Sequence, residues 1–116
     1  MVVRRDTFEK ASLPLENIED SVKGMLDDIQ NNMFEIARAF RDAHTKDVHN
    51  MDELAEQVNG GYARAMWCGS QDCEDEIKER FSATSRCMPF DQTPIGETCV
   101  CCGKPAHKVI FFAKAY

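Results

Sequence analysis

Two short stretches hold five of the six cysteines in this chain. The first is WCGSQDCE, Trp67 to Glu74. The second is TCVCCGKPA, Thr98 to Ala106. Thiolates ligate soft and borderline metals, pair into disulfides, or exchange electrons, and spacing discriminates among these uses. Cys68 and Cys73 are separated by four residues, and Cys99 and Cys102 by two. Both gaps suit tetrahedral zinc. Four thiolates would close the coordination sphere and leave no position for water, so the expected role is structural.

The residues around each pair favour the same reading. In Cys99-Val100-Cys101-Cys102-Gly103, residues three apart can curl two sulfurs onto one ion. The glycine then lets the backbone bend behind them. Cys68 leads into Gly69, again a turn. Cys73 falls at the expected start of a helix, where free N–H groups favour a thiolate. Within CVCC, Cys99 with Cys102 is the preferred pair, and Cys99 with Cys101 is the runner-up. Adjacent Cys101 and Cys102 rarely aim at one ion. Cys87 stands in a strand pattern ahead of Met88-Pro89-Phe90 and is expected to be a small buried hydrophobe.

Other uses of these cysteines fit less well. A disulfide framework belongs to secreted chains, and MVVRRDTFEK lacks the apolar run of a signal peptide. A redox C-x-x-C wants a strand leading into a helix, whereas this motif leads toward a strand. Catalytic zinc keeps an open position and usually takes histidine or carboxylate. His44, His49 and His107 do not stand at ligand spacing from either pair. No phosphate-binding glycine loop, H-E-x-x-H or nucleophile elbow is present.

Two paired knuckles need elements to hold them. With 116 residues, 43% of them hydrophobic and 29% charged, the chain can build one globular core. No apolar run is long enough for a membrane span. The net charge of −6 opposes a role as a primary phosphate-gripping nucleic-acid reader. The fold class expected is α+β. From Pro14 to about Ala43, residues such as Ile18, Val22, Met25, Ile29, Met33 and Phe40 recur at helical steps. The stripe should pack on the rest of the chain or on a neighbouring domain, with a two-helix hairpin as the alternative. A short second helix should run from Met51 to Val58, capped by Asn50 and Glu53 and stopped by Asn59-Gly60-Gly61. A small three-stranded sheet should follow, formed by Tyr62–Trp67, Ala83–Met88 and Lys108–Ala115. One more helix, Asp72 to Phe81, should stand beside the four-cysteine zinc site. Its acidic residues read as a solvated face. Met1-Val2-Val3 running into charge reads as the tail of a strand, as though the chain continued something longer.

Taken in order, WCGSQDCE, TSRCMPF, CVCCGKPA and FFAKAY resemble the C-terminal zinc-binding domain of prolyl-tRNA synthetase of the archaeal/eukaryotic type, a form also found in some bacteria. VVRRDT is similar to the last strand of that enzyme's anticodon-binding domain, and PLENIEDSV to the connector that follows. The resemblance covers nearly the whole chain. It implies that residues 1–12 end the anticodon-binding domain and that residues 13–116 are the zinc-binding domain. It implies structural Zn²⁺ on Cys68, Cys73, Cys99 and Cys102, with Cys101 an added cysteine that leaves Cys102 open to question. It implies a C-terminal carboxylate on Tyr116 folding toward the catalytic domain. The parent would be a cytoplasmic, homodimeric class II ligase that activates proline with ATP and Mg²⁺ and transfers it to tRNA(Pro). Those catalytic parts would lie upstream, with no catalytic residue in this piece. The other function class is a freestanding zinc-bound module that binds protein or RNA.

Overall fold

A computed structural model describes residues 1–115; Tyr116, and with it the expected role of its carboxylate, lies outside the described residues. The chain divides into two compact units, one of residues 1–42 and one beginning at Ala43.

The first unit opens with a hairpin, β1 (Val2–Val3) antiparallel to β2 (Lys10–Ala11). Its turn is tightened by Phe8 N–H donating to the Arg4 carbonyl at 2.9 Å, with Phe8 left-handed at φ 61°. Asp6 organises the loop. The Arg4 guanidinium donates to both of its oxygens, at 3.1 and 2.8 Å, and Asn32 Nδ2 donates to Oδ2 at 2.8 Å. The helix that supplies Asn32 is α1 (Ile18–Ala43), whose 26 residues span about 39 Å at 1.5 Å each. It is a single uninterrupted helix rather than a helical hairpin. None of its residues is buried, and Leu26, Met33 and Ile36 are each about 60% exposed.

The second unit is a mixed four-stranded sheet in the order β3-β4-β6-β5. It comprises β3 (Thr45–Val48), β4 (Tyr62–Trp67), β5 (Ala83–Cys87) and β6 (Lys108–Lys114). Helix α2 (Met51–Gln57) joins the parallel pair β3 and β4, and α3 (Gln71–Phe81) joins β4 to β5. The sheet thus has one strand more than the sequence suggests. In TKDV only Val48 is buried, so the segment lacks the apolar alternation of a strand and takes its conformation from pairing with β4.

The cap of α2 forms as its residues demand. Glu53 N–H donates to Asn50 Oδ1 at 2.9 Å, and Glu53 Oε2 accepts from His49 N–H at 2.7 Å. Alternation on the two central strands sends Ala63, Ala65, Ile110 and Phe112 into one core. Leu54 and Val58 meet them from the α2 segment and Ile77 from α3. A second cluster on Met66, Val109, Ala106, Cys73 and Cys99 is continuous with the sulfur site. Trp67 packs against both clusters.

Candidate metal centre

Each cysteine pair is delivered by a distinct local device. Cys68 follows the last residue of β4, and Gly69 at φ 91° turns the chain into α3. Cys73 is the third residue of that helix. Trp67 braces the turn by donating from Nε1 to the Ser70 carbonyl at 3.1 Å. The Lys108 ammonium stands 5.4 Å from the Trp67 ring centroid.

The second pair sits on a miniature hairpin closed by a bridge between Thr98 and Pro105. Cys99 N–H donates to the Lys104 carbonyl at 2.7 Å, and Gly103 N–H donates to the Cys99 carbonyl at 3.0 Å. Gly103 takes φ 70°, a conformation that costs glycine little. Val100 N–H donates to the Met66 carbonyl at 3.0 Å, which ties this hairpin to β4.

The two devices bring four sulfurs together. Those of Cys68, Cys73, Cys99 and Cys102 all lie within 4.8 Å of one another. Cys68 Sγ is 3.7 Å from Cys73 Sγ and 3.8 Å from Cys102 Sγ. Four sulfurs bound at about 2.3 Å around a tetrahedral zinc stand about 3.8 Å apart, so the donor set fits such an ion. Cys73 and Cys99 are buried, Cys68 is half-buried and Cys102 is exposed.

The clustered thiols perturb one another. Burial, then hydrogen bonds with Cys102 and Cys68, push the Cys73 thiol far up. Burial also raises Cys99, against the pull of backbone N–H groups. Cys102 moves the other way, down to about 7, chiefly through the Lys104 backbone N–H. A divalent ion would favour the thiolate form throughout the cluster.

Cys101 takes another direction. Its Sγ donates to Glu76 Oε2 at 3.4 Å, and burial followed by that carboxylate raises the thiol to about 11. Between the two candidates within CVCC, the sulfur grouped with the other three is that of Cys102. Cys87, expected in the core, is exposed. The ladder of β5 slips between Ser85 and Cys87, so the alternation that would have buried this side chain breaks one residue before it. Among the described residues no histidine joins the sulfur group.

The acidic face of α3 is mostly solvated but not idle. Glu76 also accepts from Arg80 at 3.1 Å, and Glu74 accepts from the Ser85 hydroxyl. Sequence reasoning missed Glu76 because nothing local distinguishes it among five neighbouring acids. Helical spacing was the only available signal, since Glu76 lies three residues after Cys73 and shares its face.

Comparison with known proteins adds identity to this geometry. The family model described as "Prolyl-tRNA synthetase, C-terminal" matches residues 51–116. A proline–tRNA ligase of Lachnoclostridium phytofermentans is 49% identical over 118 residues, covering 100% of this chain and 25% of that protein. One from Oceanobacillus iheyensis is 42% identical over 117 residues, covering 100% and 24%. Among solved structures, prolyl-tRNA synthetase from Cryptosporidium parvum, complexed with halofuginone and AMPPNP, superposes with a TM-score of 0.85 at 30% identity. That match covers 98% of this chain and 25% of the other. The chain spans about a quarter of the length of the relatives it matches. It belongs to the prolyl-tRNA synthetase family, as part of the C-terminal region of such an enzyme.

Proposed function

We propose that this chain is the structural zinc-binding part of a proline–tRNA ligase. In this role Cys68, Cys73, Cys99 and Cys102 hold one Zn²⁺ that locks the two knuckles against β4, β6 and α3. The observation that carries this reading is the convergence of four sulfurs at tetrahedral spacing from two separate devices. A set of four thiolates offers no open coordination position, so the ion serves the fold rather than the reaction. Residues 1–12 are then the end of an anticodon-binding domain, and residues 13–116 the zinc-binding domain. The parent polypeptide, a homodimer in the cytoplasm, joins proline to tRNA(Pro) with ATP and Mg²⁺ in its catalytic domain. Tyr116 presents its terminal carboxylate to that domain.

Two measurements test these statements separately. Elemental analysis of the purified chain should give one zinc per molecule, and zinc-free folded protein would refute the metal assignment. Proline-dependent ATP–pyrophosphate exchange should be absent from this chain and present in the parent enzyme. Removing Tyr116 from the parent should lower the exchange rate and leave the zinc in place. Unchanged kinetics would remove the role given to Tyr116.

A further inference from the structure

Trp67 and Lys108 stand directly opposite each other in the β4–β6 ladder. Opposed residues share a face of the sheet, so their side chains meet. The Lys108 ammonium lies 5.4 Å from the Trp67 ring centroid. The ring is itself anchored, because its Nε1 donates to the Ser70 carbonyl at 3.1 Å. The strand beneath Lys108 is anchored too, because the Gln92 amide pairs with both backbone groups of the next residue, Val109.

This platform sets the ammonium against the turn that carries Cys68. A β-carbon on Gly69 would lie 3.3 Å from Lys108 Nζ and 3.9 Å from its Cε. The missing side chain at Gly69 therefore leaves the cation room beside the backbone of the turn. Among the described residues no carboxylate forms an ion pair with Lys108. In the second knuckle, backbone N–H groups point at the sulfur of Cys99 and, from Lys104, at that of Cys102. The first knuckle has a side-chain cation beside it.

We propose that Lys108 is the counter-charge of the metal centre, a positioning residue held by Trp67 over the Cys68–Gly69 turn, where it slows loss of the ion. The proposal rests on the reading that the four cysteines bind Zn²⁺. Four thiolates on one divalent ion leave an excess of negative charge. Exchanging that ion for protons takes the charge away, so a neighbouring ammonium favours the loaded state. Groups just outside a ligand set commonly tune metal affinity in this way. The residues around Cys68 then each serve Lys108. Trp67 is its platform, Gly69 gives it space, and the Ser70 carbonyl holds the platform in place.

The experiment compares zinc-loaded full-length enzyme in three forms: wild type, Lys108→Met and Lys108→Arg. Methionine keeps an apolar stem over Trp67 and removes the charge, whereas arginine keeps both. Zinc release to a chromophoric chelator at low salt should be roughly tenfold faster for Lys108→Met. Lys108→Arg should release zinc at close to the wild-type rate. Because Lys108 is exposed, the gap between wild type and Lys108→Met should narrow at high salt. In cobalt-substituted enzyme, the sulfur-to-cobalt charge-transfer band of Lys108→Met should move to longer wavelength, with the ligand-field bands of a tetrahedral site unchanged. Equal release by loaded wild type and Lys108→Met overturns this proposal alone, since methionine covers the indole as well as lysine does. Release from Lys108→Arg as fast as from Lys108→Met also overturns it, as do altered ligand-field bands, which would mark a distorted site. Folded wild-type enzyme that holds no zinc would refute the metal assignment itself, and this proposal with it.

Discussion

Cys102 Sγ lies 3.8 Å from Cys68 Sγ, while its neighbour Cys101 donates its thiol to Glu76. Adjacent residues on a tight hairpin point apart, so the two sulfurs have different neighbours. Cys102→Ser should lose most of the bound zinc at micromolar chelator. Cys101→Ser should retain a full equivalent, because it removes only a contact with a carboxylate that also holds Arg80. Titration with a chromophoric chelator reads both variants. Full zinc retention by Cys102→Ser would reverse the assignment.

Stripping the metal should loosen the second unit as a whole. The sulfur cluster is continuous with core residues Met66, Val109 and Ala106, and Trp67 packs against both core clusters. Structural zinc contributes about 10–16 kcal/mol of apparent binding free energy in small modules, which is comparable to the whole stability of a typical domain, about 5–15 kcal/mol. Treatment with a strong chelator should therefore shift the emission of Trp67, the only tryptophan, toward that of exposed indole. Zinc should restore it. Unaltered emission from fully demetallated protein would contradict this coupling.

The core itself is tested at Phe112. This side chain is completely buried between the helices and the centre of the sheet. Phe112→Ala should cost about 3–5 kcal/mol, as large aromatic deletions in packed cores do. Urea unfolding of the zinc-loaded chain measures it. A loss below about 1 kcal/mol would mean that the site collapses around the missing ring.

What could be read in advance follows from how local each signal is. The span of α2, the strand Tyr62–Trp67 and the set of four clustered cysteines were all legible, because each is written within a few residues: a cap, an alternation, a pair spacing. β3 was not, because TKDV becomes a strand only through its pairing with Tyr62–Ala65 seventeen residues later. The bulge that exposes Cys87 is likewise a property of the β5–β6 register. Gln92 looks like an ordinary loop residue, but β5 ends short of Val109, whose N–H donates to Gln92 Oε1 at 2.8 Å and whose carbonyl accepts from Gln92 Nε2 at 3.1 Å. Pair spacing favours Cys102 over Cys101, the family resemblance leaves that choice open, and the contact of Cys101 with Glu76 gives a physical reason for the two sulfurs to part.

The last prediction concerns acid. Asp6 is held down at about 2, first by the hydrogen bonds from Arg4 and further by the one from Asn32, with burial opposing. Its side chain is only 3% exposed. An unfolded aspartate titrates near 3.9. A carboxylate with a depressed folded-state pKa adds stability that is complete above the unfolded value and is lost as pH falls through the folded one. The hairpin of residues 2–11 should therefore remain attached to α1 at pH 5 and come loose between about pH 4 and pH 2. Asp6→Asn keeps the shape but weakens the charge-assisted pairing with Arg4, so its hairpin should already be loosened at neutral pH. The measurement is a pH series of backbone amide shifts for residues 2–11 in both forms. A wild-type midpoint near 4, with Asp6→Asn unaltered at neutral pH, would show that the Arg4–Asp6–Asn32 cluster does not fasten the hairpin.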